Sequence, residues 1–364
     1  MIAAALTLLA MTAVPADDKG PVEAGYIQQL EREAVPFAWS GDVASCVAGA
    51  PSDAAQQATL DSVNYVRGLA GLGPVRLDAR ASAEAQAAAL MMAANGELSH
   101  APTRYWRCRT PEGIAGAGRS NLSIGNTAAQ AVTGYMNDDG PNNQAVGHRT
   151  WLLQPGLASI GIGSTPNTNA IAVFGEGIDH LDPAPEAVIR WPKAGSFPSG
   201  LTPSRWSLTT TAALKGNPAG WARASVTVTK AGRTWTAPVI HRDEVLVWYM
   251  DDTSPGLYHV QVSAGTTYEY DVDVFEPSVR VTGPPSIKGT VRARRVVKLA
   301  GGSWTPASSQ MSVTWKAGKR TVSSATRLRL KPWTTGRKLT ARVTVSWPGL
   351  RPATLTLSAG RVRR

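Results

Sequence analysis

The stretch Leu60-Asp61-Ser62-Val63-Asn64-Tyr65-Val66-Arg67, with Gly71-Leu72-Gly73-Pro74-Val75-Arg76-Leu77-Asp78 behind it, sets the frame for everything around it. Leu60, Val63, Val66 and Ala70 recur at helical intervals, and Gly71 stops the helix. Upstream, Asp53 and Gln56 have capping-box spacing, so this helix is expected to open at Ser52-Asp53. Asp78 is placed to cap a second, Ala-rich helix through Leu90 and Met91 to the helix-ending pair Asn95-Gly96. A third helix is expected from Asn126-Thr127 through Val132, Tyr135 and Met136, and a fourth from about Gln144 to Leu153, ahead of Pro155. Two β runs follow, Ala158-Ser159-Ile160-Gly161-Ile162 and Ala170-Ile171-Ala172-Val173-Phe174. Helices closing on a small sheet predict an α+β domain with α-β-α layers over residues 52–182.

On the N-terminal side, residues 17–51 show no clear periodicity and read as an extension. Residues 1–16 read as a signal peptide, an apolar run ending in the small-residue pattern Val14-Pro15-Ala16 and too short to span a bilayer. Export would let Cys46 and Cys108, the two cysteines of the chain, form one disulfide. The expected location is therefore extracellular, with cell-wall association open.

On the C-terminal side the texture changes after the linker Asp182-Pro183-Ala184-Pro185. Residues 186–276 and 279–364 alternate in short strands with Gly and Pro turns between them. Nine of the twelve tryptophans lie from Trp191 onward, which suits rings packed between sheets. Two successive all-β sandwich domains are expected, and the total of 364 residues has room for three domains. Charge divides them. Residues 279–364 carry 19 Lys and Arg with no Asp or Glu, while the first 278 residues sum to −8. Such a basic module points to an anionic envelope polymer or surface. Nucleic acid is not expected, because Trp315, Trp333 and Trp347 sit where core rings would, and export removes that partner. P-loop, HExxH and GxSxG motifs are absent from the sequence, which leaves those chemistries without a motif.

The opening stretch resembles the "vN-x-x-R-x-x-x-G-L-x-P-L" motif of the CAP superfamily, named for cysteine-rich secretory proteins, antigen 5 and pathogenesis-related 1. The resemblance continues through Leu98-Ser99-His100, Gly147-His148-Arg149, Leu152-Leu153-Gln154-Pro155 and Ile160-Gly161-Ile162-Gly163. Residues 190–208 are similar to the β-rich domain that follows some bacterial CAP domains. The last domain, with Trp304, Trp315 and Trp347-Pro348-Gly349, is similar to an Ig-like surface repeat.

The resemblance implies an α-β-α sandwich whose cleft holds two histidines and two acidic residues. His100 and His148 match the histidines and would be the ligands of a zinc-class divalent metal, if one binds. Where the family reads Gly-Glu-Asn this chain has Arg119-Ser120-Asn121, so a hydroxyl replaces a carboxylate. The second acidic position falls on Asp138 or, given the following insertion, Asp139; Glu97 and Glu176 are substitutes. A Ser120–His nucleophile pair lacks the turn that would present it. His180 reads as a linker residue, and His241 and His259 have no partner pattern. The cleft set is thus His100, Ser120, Asn121, Asp138 and His148. Loss of one carboxylate favours a non-catalytic extracellular binding protein with no required cofactor, for which a small apolar or lipid ligand is one candidate. The alternative is a metal-assisted hydrolase of peptide or wall substrates acting through His100, His148 and Asp138.

Overall fold

In the computed structural model, residues 19–181, 187–218 and 220–364 are described. The expected signal peptide, 1–16, and the linker, 182–185, lie outside them. The chain divides into two compact units, one of which takes Gln29–Phe275 and the other Glu276–Arg364, with Tyr26–Gln28 grouped with the latter.

Residues 19–33 correct the sequence reading, since α1 (Lys19–Glu33) is a helix where no periodicity was visible. The helix α2 (Asp53–Leu69) is capped by Ser52, whose side chain accepts from the Ala55 amide, rather than by Asp53. After β1 (Arg76–Leu77), α3 (Ala79–Asn95) opens on the Asp78 carboxylate and closes on Gly96 in the left-handed region. Sequence periodicity missed α4 (Pro111–Arg119), a short Gly-rich helix capped by Thr110, and β2 (Ser120–Ile124) that follows it. The set is completed by α5 (Ala128–Asn137), α6 (Gly147–Leu152), β3 (Ser159–Ser164) and β4 (Thr168–Ala172).

The four strands run in the order β1-β3-β4-β2. α3 packs against β3 and β4 with α4 beside it, while α2 pairs with α5 and also meets β3, giving the α-β-α layers. Gly161 and Gly163 allow α3 to come this close. A Cβ on Gly161 would stand 2.2 Å from the Ala81 carbonyl carbon, and one on Gly163 2.2 Å from the Gln86 amide nitrogen. Ile160 and Ile162 alternate with them, fully buried, as period-two strand geometry demands. Cys46 and Cys108 form the one disulfide, with Cα atoms 5.1 Å apart.

A β-sandwich follows in the same unit. One sheet has β5 (Val188–Trp191), β7 (Arg205–Thr210), β10 (Val239–Arg242) and β11 (Leu246–Tyr249), in the order β10-β11-β7-β5. The other has β6 (Gly195–Pro198), β8 (Ser225–Lys230), β9 (Arg233–Ala237), β12 (Gly256–Ala264) and β13 (Thr266–Phe275), in the order β6-β13-β12-β8-β9. Trp191, Trp206 and Trp248 are fully buried, as the tryptophan distribution suggested. His259 corrects the reading that it lacks a partner: it faces Asp271 across β12 and β13, Nδ1 to Oδ1 2.8 Å. Val146, ahead of α6, is buried with Val245 and Val247 of the sandwich, so the two folds of this unit share a core cluster.

The second unit is all β: β14 (Arg280–Gly283) with β17 (Ser303–Thr305), then β15 (Ser286–Lys288), β16 (Val296–Ala300) and β20 (Arg327–Arg329). Its largest sheet runs β19-β18-β21-β22, formed by β18 (Gln310–Ala317), β19 (Arg320–Ser323), β21 (Lys338–Ser346) and β22 (Ala353–Arg361). Trp315 is a core ring here. Trp333 is not: it is 37% exposed and carries Arg320 and Arg337 over its ring, at 4.7 and 5.6 Å.

Candidate functional site

His100 sits in the loop after α3, and its Nδ1 donates to the Ala117 carbonyl of α4 at 2.9 Å. That bond turns Nε2 into the nitrogen left for a ligand. His148 is the second residue of α6, and its Nδ1 donates to Asp138 Oδ1 at 2.7 Å. Asp138, rather than Asp139, is therefore the acidic partner. It terminates α5 in the left-handed region, a conformation that Asp tolerates better than most residues. Its side chain is completely buried, and its second oxygen accepts from the Arg149 amide at 3.3 Å.

Two arginines outside the expected set hold this pair in place. Arg149, 1% exposed, donates to the carbonyls of Met136 (2.6 Å), Asn137 (3.1 Å) and Arg205 (2.8 Å), and to Ser207 Oγ (3.1 Å). Burial lowers its pKa to about 10, still far above neutrality, and the Asp138 carboxylate opposes that fall. Arg205 of β7 reaches back to the Asp138 and Gly140 carbonyls, at 2.7 and 2.8 Å. The sandwich thereby grips the end of α5, which carries Asp138, which aims His148. Arg149 lies next to His148 in sequence, but nothing in the sequence marks Arg205.

Both imidazoles line one cleft, whose two lobes share His100, Asn143 and His148. The larger lobe, about 820 Å³, is walled by hydroxyls and amides such as Ser99, Ser123, Asn126, Gln130 and Thr133. Glu33 of α1 also lines it, with Oε1 accepting from Thr133 Oγ1 at 2.5 Å. Sequence reasoning missed Glu33 because the helix that presents it was not legible. The smaller lobe, about 350 Å³, is lined by Ser120, Asn121, Trp151 and Phe174. Asn121 donates to the His148 carbonyl at 2.9 Å, and Trp151, 38% exposed, stacks on Phe174 at 4.7 Å. Beneath the cleft, burial raises the Tyr135 pKa, and its hydroxyl donates to Asn169 Oδ1 at 2.9 Å.

Two of the three remaining acidic candidates stand elsewhere. Glu176 forks onto Arg80, Glu97 is exposed outside the cleft lining, and Asp139 lies exposed at its rim. Ser120 Oγ is buried and makes no hydrogen bond to either imidazole. As metal ligands the cleft offers two imidazole nitrogens. The Asp138 carboxylate is committed to His148 and Arg149, and Ser120 supplies only a hydroxyl. Zinc takes three or four protein donors, and among the described residues no three His, Cys, Asp or Glu side chains gather to hold one. This donor set does not fit a zinc-class ion.

Residues 60–174 match the model of the family described as Cysteine-rich secretory protein family, CAP, so the first domain is a CAP domain. No curated protein matches the chain. Among solved structures, three N-terminal domains of the bacteriophage RB49 outer capsid protein Hoc are 19% identical, with 42% of this chain and 53% of that one covered and a TM-score of 0.20. This chain thus spans about half the length of that structure. The two Ig domains of DIP-gamma are 12% identical (45% and 90% covered, TM-score 0.19), as are domains A168–A170 of titin (56% and 83%, 0.19).

Proposed function

We propose that the chain is a secreted, non-catalytic binding protein of the cell envelope whose CAP cleft takes a neutral, hydroxyl-rich ligand, a glycan segment. The composition of the cleft carries this reading: an amide- and hydroxyl-lined trough runs into an exposed indole, Trp151, braced by Phe174. Amides and hydroxyls exchange hydrogen bonds with sugar hydroxyls, and an indole face covers the apolar side of a sugar ring. An acyl chain would leave those polar walls unpaired, at a cost for each group. His100 and His148 then serve as oriented hydrogen-bond partners through Nε2. The basic domain, 279–364, holds the protein to an anionic envelope polymer.

Titration of soluble wall-glycan fragments, followed by Trp fluorescence, tests the cleft. Trp151→Ala is expected to weaken binding by at least about tenfold, the scale of a lost aromatic anchor. Saturable binding of a fatty acid with no response to glycan would overturn the ligand assignment. Stoichiometric zinc, lost in a His100→Ala/His148→Ala variant together with peptide or wall hydrolysis, would establish the metal-assisted hydrolase instead.

A further inference from the structure

The basic domain concentrates its charge at one place. Arg292, Arg294, Arg295, Arg329 and Arg364 line a single cavity of about 830 Å³ with Pro332 and Thr335. All five side chains are exposed, and residues 279–364 contain no carboxylate side chain to neutralise them. Among the described residues none of these guanidinium groups is paired with a protein acceptor. The domain also has six lysines, yet no lysine lines the cavity. This selection matters. A general positive field would be served by either residue, whereas planar guanidinium forks match the paired oxygens of an oxyanion.

The loop that presents the first three arginines is held from two sides. The Ala293 amide donates to the Arg363 carbonyl at 2.9 Å, and the Arg363 amide to Val291 at 3.0 Å. The Arg294 amide donates to Leu330 at 2.7 Å, and Leu330 returns a bond to Arg295 at 2.9 Å. Arg294 is forced to φ +66°, a conformation that a branched or long side chain rarely adopts. Strain held in place by surrounding bonds is a mark of sites that need a fixed geometry. Because those amides are already used, recognition at the cavity falls to the guanidinium groups. Beside it, the exposed ring of Trp333 is covered by Arg320 and Arg337, so the aromatic face on which a nucleic-acid site would stack a base is taken.

We propose that this arginine-lined cavity is a binding site for the phosphate groups of a phosphodiester polymer without bases. The inference rests on the reading of residues 279–364 as a cationic anchor to an anionic polymer, and it names the site and the chemistry within it. Bidentate arginine pairs on successive phosphates would give the domain a defined seat rather than a diffuse attraction.

The test uses the full chain and poly(glycerol phosphate), titrated by calorimetry. An Arg292→Gln/Arg294→Gln/Arg295→Gln/Arg329→Gln variant is compared with one of equal charge loss away from the cavity, Arg280→Gln/Lys316→Gln/Lys319→Gln/Arg342→Gln. The cavity variant is expected to lose at least about tenfold in affinity and the control less than about threefold, at equal thermal stability. Equal losses would overturn the cavity assignment while leaving the anchor reading intact. An absence of wild-type binding at about 0.1 M salt would overturn both, since screening is still modest there. Tighter binding of heparin, duplex DNA or phosphatidylglycerol vesicles than of the phosphate polymer would overturn the ligand class. Should the quadruple variant unfold, Arg329→Gln alone, on a regular strand, is expected to show a loss that Arg342→Gln does not.

Discussion

Replacing Arg149 with Met should unseat the junction on which the His148–Asp138 pair depends. The methionine fills much of the same volume but leaves the carbonyls of Met136, Asn137 and Arg205, and the Ser207 hydroxyl, without their donor. The bonds to the Met136 carbonyl and the Ser207 hydroxyl are buried, and those to the Asn137 and Arg205 carbonyls are half-buried. Each buried acceptor left unmade costs about 1 kcal/mol or more and a half-buried one less, which gives about 3 kcal/mol for the four together. Asp138 also loses the positive charge beside it, while release of a desolvated guanidinium returns part of the loss. The expected net is a destabilisation of about 3–4 kcal/mol, or roughly 10 °C in Tm for a unit of this size. Arg149→Lys keeps the charge but not the fork, and should fall between wild type and Met. Chemical denaturation followed by fluorescence of buried Trp206 and Trp248 measures both variants. A loss below about 1 kcal/mol for Arg149→Met would refute the argument, because that is the value of a single replaceable hydrogen bond.

Other consequences are equally open to measurement. Ser120→Glu puts a carboxylate back beside His100 and His148, with the smaller lobe to hold it; zinc affinity, read by competition with a chelating dye, is expected to rise at least about tenfold. Cys46→Ser/Cys108→Ser opens a link across 62 residues and should cost about 4 kcal/mol on the loop-entropy model, measured by denaturation. Asp252 is held below the usual carboxylate range by the Ser254 side chain and amide, and by Lys230. Its folded pKa is depressed, so its contribution is present above about pH 4 and is lost as the pH falls toward the folded value. Asp252→Asn should flatten that part of the acid-unfolding curve, and an unchanged curve would contradict it.

Much of the fold was legible in the chain because its signals are local. Helical spacing from Leu60 to Ala70, the Asp78 cap and the Gly96 stop sit within one or two turns of the elements they define. Even the opening motif has a structural reading. Asn64 exchanges two hydrogen bonds with Val75, and Arg67 donates to the carbonyls of Gly73, Leu152, Gln154 and Leu157. Those residues bind the first loop to the end of α6 and so build the scaffold rather than the cleft. Three elements escaped for physical reasons. The helix α1 has only a weak apolar stripe, α4 is a nine-residue helix with three internal glycines, and β2 is buried at four successive positions, Ser120 to Ser123, which erases the polar alternation of a half-exposed strand.

The sequence by itself determined the order of most elements of the first domain and the separation of acidic body from basic end. Each of these is a property of residue identity or of near neighbours along the chain. Only the tertiary structure decided between Asp138 and Asp139, brought Glu33 to the cleft, and recruited Arg205 from the sandwich to hold the end of α5. It also gathered arginines from three separate segments around one cavity. These choices depend on hydrogen bonds between residues up to 100 positions apart, whose geometry is set by packing and leaves no periodic trace in the sequence.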